Sequence, residues 1–402
     1  MKYDLLVKGG KILDPGKRIS KELDIGITGE KITAIDKDIQ SKDAKKVIDA
    51  AGKIVTPGLI DMHTHVNWLI SRSWLDPDSV APFSGVTAMV DVASVHYDSW
   101  PGFKRFIVDQ SQTRVYSFIN ASPYPLESPR EHLNPIEYNL GYLYNTVLLI
   151  KNNNNIIKGV KTFAGFNNEK FPERVIELAL EITYHADVPL MLHISFAPPK
   201  IEEVLPLLRK GDILTHSFTG HTQRIVDGNG ILRPEAEEAI DRGVLLDIGH
   251  GMGSFSFKVA KDLLKQGVKP YTISTDLHDG CINGPTFDLP TTLSKFLNLG
   301  LSLEDIILRA TTHPAKILKG PKGLGTLEEG GVADIAILQI KKGDFEFIDA
   351  HRWILHGDQK IVATNTITRG KIMEEIVKTR YPPYQGKRST VSDYTIKYQR
   401  ND

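Results

Sequence analysis

The chain has 402 residues, 41% of them hydrophobic and 24% charged, with Lys+Arg and Asp+Glu both totalling 49. That length suits one large barrel or sandwich plus a smaller domain, and the balanced charge excludes a global basic field for nucleic acid or an acidic membrane. No apolar run nears the ~20 residues of a membrane span, Met1-Lys2-Tyr3-Asp4 lacks a signal-peptide core, and the lone Cys281 excludes an internal disulfide; the expectation is a cytoplasmic protein acting on small molecules.

Residues 1 to 56 read as short strands punctuated by Gly, Asp and Pro: Tyr3 to Lys8, Ile25 to Ile27, Ile32 to Ile35, Val47 to Asp49. Similar composition returns at Gly331 to Leu338 and Ala363 to Gly370, which predicts a small β domain assembled from both ends. Between them, strand and helix patterns alternate. Core strands are predicted over 54–63, 85–91, 114–119, 157–163, 189–193, 212–216, 243–248 and 271–276, with the clearest helices at 172–181 and 259–264. Eight alternating units imply a parallel sheet curled into a (β/α)₈ barrel, an α/β fold.

The apolar run Ile54 to Ile60 leads into Asp61-Met62-His63-Thr64-His65. On a strand, residues i and i+2 share a face, about 7 Å apart at Cα. His63 and His65 are thus placed to share a metal ion, and zinc in catalytic sites takes about three protein ligands. A barrel does its chemistry at the C-terminal ends of its strands. Those ends also carry Lys161, His193, His216 and Asp276. One strand-end histidine is usually a satisfied core residue, but such groups on several strands converge on one axial point.

Lys161 is the odd member, since a buried ammonium would repel metal ions. Reaction of the neutral amine with CO₂ gives an anionic carbamate (N6-carboxylation) able to bridge two cations. The competing accounts are a lysine reaching solvent, or use of Lys158, which would point away from the face of Lys161 on a regular strand.

At this point the sequence resembles the amidohydrolase superfamily, specifically its two-metal members with a carbamylated lysine. Lys53 to His65 and Gly330 to Ile335 carry the likeness. The resemblance implies a (β/α)8 TIM barrel with a small β-sandwich domain built from both termini: 1–56, barrel 57–320, 321–380, and a polar tail 381–402. It implies His63, His65, Lys161, His193, His216 and Asp276 as ligands of two divalent ions, Zn2+ by preference. Thr215 to Gly220, Asp247 to Phe255, Ser274 to His278 and Gly284 to Pro290 are similar to the group labelled dihydroorotase-like or deacetylase-type amidohydrolases.

The implied reaction is cleavage of an amide or ester of a small acylated substrate by a metal-bridging hydroxide, with Asp276 moving the proton. Asp91 is a candidate for orienting a histidine, and His250, His278 and Cys281 for lining the substrate pocket. True dihydroorotases place an arginine two residues after the second histidine; here that position is Asn67, which counts against the alternative of a cyclic amidohydrolase. A single-metal deaminase and a non-catalytic scaffold are the remaining rivals. No nucleic-acid or membrane partner is expected, and homo-oligomerisation is left open.

Overall fold

The computed structural model describes residues 1–68, 75–122, 140–165, 172–194 and 196–374. The expected polar tail lies outside the described residues. No described helix is long and apolar enough to cross a membrane.

The centre is a curled parallel sheet of seven strands in chain order: Leu59–Thr64, Val86–Val92, Arg114–Asn120, Ile157–Ala164, Leu190–Ile194, Ile213–Leu214 and Leu245–Leu246. Every residue of the first two strands is buried, as expected of parallel strands covered on both faces. Helices follow the strands and bury their apolar stripes on the outside. Phe257–Lys265 is a clear case: Ser256 caps it by accepting from Val259 N, and Phe257, Val259, Ala260 and Leu263 are buried. Pro234–Arg242 stops at Gly243, whose φ of 98° suits a left-handed cap.

The eighth predicted strand does not form a ladder. Residues 271–277 instead make single parallel bridges on both sides, Asp247 with Thr272 and Thr64 with Leu277. The reason lies in their side-chain bonding: Thr272 Oγ1 and Ser274 Oγ donate to Asp247 Oδ1, and Thr275 N donates to Asp61 Oδ1. Asp276 then adopts φ 51°, which no regular strand contains. Side-chain acceptors thus supplement the backbone bonds at the seam, such as Ile248 N to Thr272 O and His250 N to Ser274 O.

The predicted first strand, 54–63, is two strands in two sheets. Ile54–Pro57 joins a six-stranded sheet ordered Lys371–Ile372, Ile354–Thr368, Ile335–Ile348, Ile54–Pro57, Lys11–Asp14, Ile19–Glu22. Leu59–Thr64 starts the central sheet. Gly58 separates them, and a Cβ there would stand 2.1 Å from Thr87 Oγ1, so only glycine passes. A four-stranded sheet (Lys31–Asp36, Asp24–Thr28, Tyr3–Lys8, Ala44–Asp49) completes the terminal regions. Leu5, Val7, Ile25 and Ile27 from it share one apolar cluster with Ile12, Val55, Ile335 and Ile367 from the six-stranded sheet.

Candidate metal centre

The strand ends bring the titratable residues together. His63 and His216 rings lie 4.9 Å apart by centroid, His193 and His216 4.3 Å, and His63 and His65 5.8 Å. Asp276 Oδ1 sits 3.0 Å from His65 Nε2 and 3.3 Å from His63 Nε2. Among the described residues, His63, His216 and Asp276 offer ligand atoms all within 4.8 Å of one another. His216 and Asp276 both have left-handed backbones, φ 55° and 51°. Non-glycine residues enter that region at a cost, and such strain gathers at functional sites.

Lys161 is fully buried, its Nζ has no hydrogen-bond partner, and it stands 5.1 Å from the centre of the Phe163 ring. Burial pushes its amine down to about 7, against the pull of Asp276 and Asp247. An unpartnered nitrogen in a buried polar cluster is rare in folded proteins and needs an explanation.

Burial, followed by neighbouring charge, disfavours the protonated form of three of the imidazoles. His216 is pushed down to about 3 by burial and by His63, and His63 and His193 are lowered as well. Their Nδ1 atoms are tied behind the site. His63 Nδ1 bonds Thr215 Oγ1 at 2.8 Å, His65 Nδ1 bonds Ser94 Oγ at 2.9 Å, and His216 Nδ1 donates to Gly249 O at 2.6 Å. Donation through Nδ1 leaves the Nε2 lone pair of each ring for a cation. Asp276 behaves oppositely to a typical buried acid. Burial pushes its carboxyl up, but His63, His65 and His216 together hold it well below the ordinary range.

Two carboxylates escaped the sequence reading. Asp247 is fully buried, accepts from Thr215, Thr272 and Ser274, and lies 3.5 Å from His63 Nδ1. Burial raises it, yet the contacts with His63, Thr272 and Ser274 hold it below its usual value. Asp61 fixes the seam through Thr275 N and is pushed up to about 7 by burial. Asp247 was visible only as a strand-end acid beside Leu246, and Asp61 as a polar break in an apolar run.

The remaining candidates are placed differently. Asp91 Oδ2 accepts from Val66 N at 3.0 Å, so it sets the backbone beside His65 while Ser94 meets the ring. His250 is fully buried, with Nδ1 on Gly251 O at 2.8 Å and Nε2 on Lys295 Nζ at 2.7 Å. Both ring nitrogens are taken, which removes it from substrate contact. Cys281 is also fully buried, its Sγ donates to Asp276 O at 3.3 Å, and burial pushes its thiol up to about 12. It too is structural. His278 is half-buried, its ring 6.1 Å from that of His65, and is the one of the three facing the centre. Asn67 is buried, with Nδ2 donating to Ser94 O at 3.2 Å.

Gly251 forms the wall against Asp276. Its φ is 54°, and a Cβ would stand 2.4 Å from Asp276 Oδ2. Gly251→Ala should therefore displace the carboxylate and lower kcat by on the order of 10²-fold, the scale set by a 1 Å misplacement. Turnover unchanged at saturating substrate would show that the Oδ2 position is immaterial.

Comparisons agree with the geometry. Amidohydrolase family models match residues 46–100 and 222–358. A deacetylase of Enterococcus faecalis is 30% identical over 384 residues, covering 93% of this chain and 100% of its own length. Among solved structures, one described as an adenine deaminase superposes with a TM-score of 0.83 at 30% identity, covering 92% of this chain and 99% of that one. Another, described as a dihydroorotase, gives 0.82 at 27%, covering 92% and 98%. With the strand-end cluster, these likenesses show that the chain belongs to the amidohydrolase family, as a deacetylase-like member.

Proposed function

We propose that this protein is a divalent-metal hydrolase, with zinc as the fitting metal, that removes an acyl group, acetyl first among them, from a small hydroxy or amino acid. One observation carries the reading: imidazoles and the Asp276 carboxylate cluster at the strand ends beside a buried lysine, Lys161, whose Nζ has no hydrogen-bond partner. Nitrogen-rich donors with a single carboxylate suit Zn²⁺ better than Mg²⁺ or Ca²⁺. In this reading His63, His65, His193, His216 and Asp276 would hold two ions, with carbamylated Lys161 as a further anionic ligand.

When bound, such ions polarise the scissile carbonyl and lower the pKa of water. The chain supplies the rest. Thr215, Ser94 and the Gly249 carbonyl orient the imidazoles from behind. Asp276, beside His63 and His65, would take the proton of the attacking water and hand it to the leaving nitrogen or oxygen. His278 stands where it can meet substrate. The barrel, assigned to residues 57–320, is read as carried on a sandwich of the two terminal sheets, from 1–56 and 321–380.

The test is a screen of metal-loaded protein against acyl esters, N-acyl amino acids, dihydroorotate and hydantoins, repeated after chelation. Chelator-resistant turnover, or no deacylation at all, would sink the proposal. The second reading, a cyclic amidohydrolase, is favoured by the 27% identical structure described as a dihydroorotase. Asn67 in place of a cation opposes it, and dihydroorotate turnover in the same screen would decide for it.

Carbamylation needs the neutral amine, and Lys161 titrates near 7. At fixed dissolved CO₂, the initial rate of labelled-carbon incorporation into metal-free protein should rise roughly tenfold from pH 6 to 8 and then level off. An ordinary lysine would keep rising toward pH 10, so a curve still climbing there contradicts the buried amine.

A further inference from the structure

At the end of the barrel opposite the metal centre lies a cavity of about 720 Å³. Five cationic side chains line it: Lys158, Arg209, Lys210, Lys316 and Lys319. Two carboxylates face them, and one is spent. Asp212 binds Arg209 through both oxygens, at 2.9 and 3.0 Å, and also accepts from Leu190 N. Four lysines therefore share Asp187. Among the described residues, none of the four has a carboxylate within 4.0 Å.

Lys158 shows that the field is uncompensated. It is half-buried, its Nζ donates to the Asn154 carbonyl at 2.8 Å, and it lies 5.6 Å from the Tyr116 ring. Burial lowers its pKa, and Lys319 lowers it further. In a chain with as many acids as bases, composition does not force this crowding. Like charges held around a concavity need a reason.

We infer that this cavity is a binding site for the phosphoryl group of a small organic phosphate. Lysines act as point charges toward phosphate and tolerate any orientation of it. The volume falls in the range of small-molecule sites. The cavity also has a structural reach. Its wall includes Ile157, Pro189, Asp212, Leu245 and Tyr271, the starting ends of the segments that carry Lys161, His193, His216, His250 and Asp276. A bound anion ties together the near ends of five barrel segments, four of which carry candidate metal ligands at their far ends.

The experiment uses full-length, metal-loaded protein titrated with inorganic phosphate by calorimetry and thermal melting, against sodium chloride of equal ionic strength. Saturable one-to-one binding and a higher Tm are expected. Both should weaken at least tenfold in a Lys210→Gln, Lys319→Gln double variant, whose exposed positions leave folding intact, and in Lys158→Met, with deacylation rates unchanged. Absence of saturable binding beyond the chloride control overturns the proposal. So does undiminished binding in the variants, which would put the phosphate elsewhere, for instance on the metal centre.

Discussion

Lys161→Ala is expected to lose most bound metal and at least ~10³-fold in turnover, comparable to the loss of a principal catalytic group, while the metal-free protein keeps its fold. Both halves come from one fact. The Nζ of Lys161 has no hydrogen-bond partner in its buried setting, so removing it deletes an uncompensated polar atom, which costs little or even stabilises. Yet that nitrogen acts on His63, His193 and His216, each pushed down in part by its charge. Without the carbamate, two dications would have four imidazoles and a single carboxylate as ligands. Millimolar acetate or propionate should partly restore metal and activity by filling the vacated volume with a carboxylate. Two metals per chain and full turnover in Lys161→Ala would reject the bridge, and a collapsed Tm in the metal-free variant would assign the lysine a structural role.

Asp276→Asn should lower kcat by about 10² to 10⁴, the usual worth of a general acid–base group, with KM moved only a few-fold. The substitution keeps size and removes charge. Asp276 has to be ionised to receive a proton, and it is: His63, His65 and His216 outweigh the burial that would otherwise raise it. The sign fixes the pH dependence. A carboxylate held low stays competent as pH falls, so the acidic limb of kcat should reflect other groups and survive unshifted at the residual rate of Asp276→Asn. An unchanged kcat removes Asp276 as the proton carrier.

Much of the centre was legible because its members interrupt apolar runs with groups that such runs seldom end on. His193 after Leu190-Met191-Leu192 and His216 after Ile213-Leu214-Thr215 stand out for that reason. Boundaries were harder. The run from Ile54 to His63 has no break in hydrophobicity, so the passage from one sheet to the next at Gly58 is a steric event against Thr87 that periodicity does not register. The eighth segment has strand composition, but its hydroxyls bond Asp247 and Asp61, and Asp276 turns left-handed at φ 51°.

Lys295 is the clearest omission. On Leu289–Asn298 it looks like a solvated face residue, yet it is fully buried, and it bonds Pro285 O at 2.8 Å and the ring of His250. Only the tertiary packing of that helix shows why His250 has no nitrogen to spare.

The passage through Gly58 has a consequence for dissecting the molecule. One uninterrupted stretch of backbone is an inner stave of the sheet holding Lys11–Asp14 and Ile335–Ile348, and six residues later it presents His63. Amputating the first fifty residues would strip Ile54–Pro57 of its Lys11–Ile12 neighbour, baring a backbone edge prone to mispairing. It would also slacken the tether that aims the first imidazole. Catalysis and the terminal sheets are therefore inherited together, and a minimal enzyme cannot be carved from the barrel alone.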